Sequence, residues 1–106
     1  MKLVILESPY AEGDLETNIE YAREAMLDCL KRGESPMVSH LLYTQVLDDT
    51  NPLERDKGMV AGMNWYRVAE KAVVYEDFGI SRGMEKGIQW AETFNVPVEY
   101  RKIKGS

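Results

Sequence analysis

Short β-favouring apolar runs alternate with apolar stripes at helical spacing, and this alternation restricts the fold more than any other feature of the chain. Leu3 to Leu6 is a buried-strand run closed by Ser8-Pro9-Tyr10. Leu15, Ile19, Ala22, Met26 and Leu30 then recur at helical spacing with charges between them. Gly33 sits where a glycine favours helix termination. Met37-Val38, following Pro36, is a second short strand candidate, and His40 to Leu47 reads as a loop or short helix. Asp48-Asp49-Thr50-Asn51-Pro52 carries helix-starting residues, and Met59, Val60, Met63 and Tyr66 share one helical face beyond it. Ala72 to Tyr75 is a third β run. Met84, Gly87, Ile88, Ala91 and Phe94 form a further stripe, and Val96 to Tyr100 is a last strand before a polar tail, Lys102 to Ser106. The order β-α-β-(α)-α-β-α-β predicts an α/β protein, a three-layer, doubly wound, mostly parallel sheet of about four or five strands with right-handed crossovers.

A chain of 106 residues is read as a single domain over 1–106. A domain of this size buries only roughly 60–70 % of its unfolded surface, so a subunit interface would add to a thin core, and a homodimer or higher homo-oligomer is expected. The formal charge of −5 argues against nucleic acid or an anionic membrane as partner. No apolar run approaches the ~18–20 residues that cross a bilayer, and Glu7 interrupts the first run too early for a signal segment. Cys29 is the lone cysteine, which excludes an intrachain disulfide or a cysteine zinc site and fits a reducing cytoplasm. No cofactor or metal is expected.

In a doubly wound sheet, ligands bind beyond the carboxyl ends of the strands. Three segments should therefore line a site: Glu7 to Gly13, Ser39 to Tyr43, and Glu76 to Glu85. The most informative is Gly79-Ile80-Ser81-Arg82-Gly83-Met84-Glu85-Lys86-Gly87, which joins a strand to a helix. Ser81 is a good N-cap, and the helix start favours an ionised Glu85 or a phosphate. Glu85 is thus a candidate nucleophile, set against the plainer reading that it merely complements the helix dipole. Gly83 and Gly87 point to close approach of a ligand or of a neighbouring strand. His40, the only histidine, either touches a substrate hydroxyl or phosphate or bonds a carbonyl. Asp77 either serves as an acid toward a leaving group or is an exposed loop carboxylate. Tyr10 is a ring-stacking candidate, and Trp65, Tyr66 and Trp90 read as core or interface.

The same loops resemble the nucleoside 2-deoxyribosyltransferase-like family, in particular its small, often phage-encoded members related to deoxynucleotide N-glycosidases. Ser8-Pro9-Tyr10 resembles the substrate-binding end of the first strand, and Asn18 lies on the following helix where small relatives carry asparagine. Pro36 to Tyr43, Pro52-Leu53-Glu54-Arg55 and Ser81-Arg82-Gly83-Met84-Glu85-Lys86-Gly87 resemble further family segments, the last containing the Gly-Met-Glu motif. The resemblance implies a flavodoxin-like fold in which Glu85 attacks C1′ of a deoxyribose, and the glycosyl ester passes to another base or to water. It further implies that Asp77 holds or protonates the base. The substrate-binding set it implies is Ser8, Pro9, Tyr10, Asn18, His40, Arg55, Ser81, Arg82, Gly83 and Met84. The acid that the transferases carry shortly before the motif's glycine is replaced here by Gly79, Ile80, Ser81 and Arg82.

Three function classes follow. The first is an N-glycosidic bond hydrolase or 2-deoxyribosyltransferase acting on a (deoxy)nucleoside or nucleoside monophosphate, in the cytoplasm or, if phage-encoded, the infected host's cytoplasm. The second is a non-catalytic binder that sequesters an NAD-derived or cyclic nucleotide signal, a phage counter-defence role. The third is a small oligomeric interaction protein.

Overall fold

The computed structural model describes residues 1–104, and the last two residues of the polar tail lie outside it. The elements in chain order are β1 (Lys2–Glu7), α1 (Leu15–Lys31), β2 (Glu34–Met37), a one-turn helix α2 (Ser39–Leu42) running into a 3₁₀ turn (Tyr43–Gln45), α3 (Pro52–Asn64) followed by a 3₁₀ turn (Trp65–Arg67), β3 (Lys71–Tyr75), α4 (Arg82–Thr93) and β4 (Val98–Arg101). The four strands form one all-parallel sheet in the order β2-β1-β3-β4. Helices cover both faces, so the expected doubly wound, flavodoxin-like architecture is the one observed.

Alternation along the strands builds two cores. Val4, Leu6, Val73 and Tyr75 point to the α1 side and pack on Tyr21, Ala22, Ala25 and Cys29. Ile5 and Ala72 point the other way, onto Tyr66, Ala91 and Val96. The strands are buried on both sides because crossover helices cover both, which is why they read as short continuous apolar runs.

Two elements differ from the sequence expectation. On α1, the buried stripe is Asn18, Tyr21, Ala22, Ala25 and Cys29, while Leu15 and Leu30 remain 45 % and 49 % exposed. The small residues Ala22 and Ala25 let the helix sit close to the sheet, and the leucines fall on its flank. The second strand begins at Glu34 rather than near Met37. A strand opening with an acid carries no hydrophobic signal. Glu34 is held by Arg101, whose guanidinium donates to both its oxygens at 2.8 and 2.7 Å, and by Lys71 at 3.8 Å. Arg101 also meets Glu99 at 2.5 Å and Tyr75 Oη at 3.1 Å. One buried guanidinium therefore ties together β2 and β4, the two edge strands. Pro36 is tolerated because β2 is an edge.

The caps follow local chemistry. Asp14 accepts from Thr17 N at 3.0 Å at the start of α1, and Asn51 accepts from Leu53 N at 3.0 Å ahead of Pro52 on α3. Gly33 takes φ +78° just beyond α1, a conformation that L side chains resist. Of α3, only Gly62 is buried, close against Ser39. That helix stands off the sheet and leaves a cleft beneath it.

Candidate functional site

The strand order reverses between β1 and β3, and the chain leaving β1 goes one way while the chain leaving β3 goes the other. This opens a crevice at their carboxyl ends. The crevice is a small, half-open cleft of about 140 Å³. Its floor is Glu7 and Ser8 at the end of β1, with Tyr10 beyond them. One wall is His40, Tyr43, Arg55 and Met59 from α2 and α3, and the other is Ser81, Gly83 and Trp90 from α4. All three loop segments singled out from the sequence contribute, and α3 adds a fourth.

Two hydrogen-bonded pairs occupy the floor. In the first, Tyr66 Oη donates to the Glu7 carboxylate. Glu7 lies against α4 at Gly87, where a Cβ would come within 2.2 Å of Oε2. The missing side chain on α4 makes the seat for this carboxylate. Burial drives the Glu7 pKa up to about 7, against the lowering effect of the Tyr66 hydrogen bond. In the second pair, Ser8 Oγ lies 2.7 Å from His40 Nε2, and Ser8 is only 5 % exposed. Burial pushes His40 down to about 4, so its ring is neutral at ordinary pH. The Tyr10 ring meets His40 edge-on at 6.1 Å.

The sequence-derived candidates divide into groups. Ser8, Tyr10, His40, Arg55, Ser81 and Gly83 line the cleft together. Pro9 is buried and faces a separate shallow depression with Phe78 and Ile80. Asn18 is buried and donates to the carbonyls of Tyr10 and Glu12 at 2.8 and 2.7 Å, shaping the loop that forms the cleft's lip. Met84 packs in the core, and its sulfur accepts from Ser81 N. Arg82 is exposed, and its N–H donates to Glu12 Oε2 at 2.7 Å. An acid of the first loop thus sits at the start of α4.

Glu85 and Asp77 stand elsewhere. Glu85 is exposed on α4 and lines an outer groove with Arg55, Arg82 and Lys86. One residue along a helix is about 100° of rotation, which takes position 85 off the face that Met84 and Gly87 turn inward. Asp77 is fully engaged away from the cleft. It accepts from Tyr21 Oη at 2.5 Å and from the N–H groups of Ile103 and Lys104 at 2.8 and 3.0 Å, stapling the segment after β4 to the end of β3. Burial raises its pKa, but those hydrogen bonds outweigh burial and hold it below the ordinary carboxylate range.

Residues 2–101 match the family described as a domain of unknown function, DUF7768. The chain is a member of the DUF7768 family. No curated protein and no solved structure matches it. Among the described residues of this DUF7768 domain, no group of three or more His, Cys, Asp or Glu is placed to hold a metal, and no helix is long and apolar enough to cross a membrane. Its cleft holds a carboxyl that ionises near neutrality, a neutral imidazole and a hydroxyl. Sequence reasoning placed Glu7 at the head of a site-lining segment without giving it a role, and read Tyr66 as core or interface. The available signal was an acid ending a buried strand, together with a glycine on the helix that packs beside it.

Proposed function

We propose that this DUF7768 domain cleaves or transfers the N-glycosidic bond of a (deoxy)nucleoside or nucleoside monophosphate, with Glu7 as the reacting carboxylate. The observation that carries the proposal is the seat of Glu7. Its carboxylate lies on the cleft floor at the strand-order reversal, held by Tyr66 and fitted into the space left by Gly87. Attack on the anomeric carbon needs an ionised carboxylate in a largely dry, rigid setting, aimed at a flat ring that leaves. Tyr10, Tyr43 and Trp90 supply aromatic walls for such a ring, and Arg55 supplies a cation at the mouth for a phosphate. In this scheme the C1′–N bond breaks as the C1′–O bond to Glu7 forms, and the base departs with the electron pair. Glu85, expected from the sequence to do this, has no role in this scheme; it lines the outer groove that adjoins the cleft at Arg55 and Gly83.

Incubation with deoxynucleosides, nucleosides and their monophosphates, followed by chromatography for free base, tests the proposal. Wild type and Glu85→Gln release or exchange base, while Glu7→Gln is at least about 1,000-fold slower, as expected for loss of a nucleophile. Loss of turnover in Glu85→Gln with retention in Glu7→Gln would return the role to Glu85. A nucleotide-dependent rise in melting temperature with no base released by wild type would instead make the domain a binder of nucleotide-derived molecules.

A further inference from the structure

The Glu7 reaction accounts for one of the two hydrogen-bonded pairs in the cleft and leaves the other unused. Asp77 is consumed by the segment after β4 and Glu85 lies outside, so neither is available to activate the second substrate. Ser8 and His40 remain. Ser8 directly follows Glu7, and both line the same floor. Its hydroxyl lies 2.7 Å from His40 Nε2, a distance at which a proton can pass between them.

We propose that Ser8 and His40 form a proton relay that activates the accepting water, so that the domain is a hydrolase that releases its glycosyl–Glu7 ester. This rests on the reading of Glu7 as the reacting carboxylate. With His40 protonated at Nδ1, Nε2 accepts the Ser8 hydroxyl proton. The water's oxygen bonds to C1′ as one of its protons passes to Ser8 Oγ and the Ser8 proton passes to Nε2. The C1′–O bond to Glu7 breaks, returning its electron pair to the carboxylate. The imidazolium then gives its proton to the departed base or to solvent, which restores the site. Burial keeps the His40 ring neutral at ordinary pH, so Nε2 carries a free lone pair toward Ser8. Tyr66 holds Glu7, and His40 meets Ser8, the next residue of the chain.

The relay acts on the second step alone, which makes it separable from the first. With wild type, base release from a deoxynucleoside or its monophosphate runs at a steady rate. In His40→Gln, the expected result is a burst of one equivalent of base per active site followed by turnover about 100-fold slower, with a glycosyl adduct on Glu7 seen by mass spectrometry. Ser8→Ala, which removes only a hydroxyl, gives the same pattern and guards against a folding defect in the His40 variant. Azide attacks C1′ without needing a proton removed, so it restores base release in both variants and yields a glycosyl azide. A structural role for the pair would not produce that rescue. Wild-type steady turnover in both variants, or a burst slowed as much as the steady rate, overturns the relay while leaving Glu7 in place. Absence of base release by wild type overturns the Glu7 reading and the relay with it.

Discussion

The two buried titratable groups of the cleft are displaced in opposite directions, and this gives the protein a testable pH signature even before any substrate is known. Glu7 ionises at about 7 in the fold against 4.5 as its ordinary value. The native state therefore holds a proton that the unfolded chain gives up first. Its contribution is fully present below pH 4.5 and is lost as pH rises through 7. His40 ionises at about 4 in the fold against 6.5. Its contribution is present above pH 6.5 and is lost as pH falls through 4. Between pH 5 and 8 the Glu7 effect removes roughly 2–3 kcal/mol and the His40 effect adds roughly 2 kcal/mol, at ~1.4 kcal/mol for each pH unit of displacement. The carboxylates held low by hydrogen bonds or ion pairs, Asp28, Glu34, Asp77 and Glu99, change stability below this window. Wild type should then show a nearly flat stability profile from pH 5 to 8. Glu7→Gln exposes the His40 effect, and the variant gains about 2 kcal/mol on going to pH 8. His40→Gln exposes the Glu7 effect, and that variant loses roughly 2–3 kcal/mol. Urea unfolding followed by tryptophan fluorescence reads each as a shift of roughly 1–2 M in midpoint at constant slope. Two variants whose profiles run parallel to wild type would refute the burial argument for both groups.

Three other outcomes follow from the packing. Gly87→Ala puts a methyl where the Glu7 carboxylate lies, so Glu7 should titrate near its ordinary 4.5 rather than near 7 by carboxyl carbon NMR. A Glu7 that still titrates near 7 in that variant shows that the seat does not depend on Gly87. Arg101→Met leaves the buried Glu34 with only the longer Lys71 contact and should cost about 3–5 kcal/mol in urea unfolding, while adding Glu34→Leu recovers most of it. Equal cost in the single and double variants would place the loss in packing rather than charge. Leu53, Val60, Trp65 and Val68 are 81 %, 53 %, 41 % and 56 % exposed on or just after α3, so light scattering at micromolar concentration should find an oligomer that Leu53→Glu with Val60→Glu converts to monomer.

How much of this was legible in the sequence depends on whether the signal is local. Strand–helix alternation, the Asn51–Pro52 and Ser81 caps and the Gly33 terminator are carried by neighbouring residues, and the elements form where these residues place them. The site was legible as three loops because sheet topology alone brings strand ends together. The proposed reacting group was not, because its character is set by residues remote in the chain. Glu7 is an unexceptional acid until Tyr66 and Gly87, from two other elements, close around it. Asp77 is a free loop acid in the sequence and a saturated one in the fold, since Ile103 and Lys104 reach it only once β4 has paired with β3. Position 85 shows the same limit at finer scale. The Gly-Met-Glu order fixes that an acid starts α4 but not the helix's rotation, which is set by Met84, Gly87 and Ala91 turning toward the sheet. With that face inward, position 87 meets the Glu7 carboxylate, and there the chain carries a glycine and fills the space from β1. Burial at the end of β1, rather than any feature of the local sequence, is what raises the Glu7 pKa.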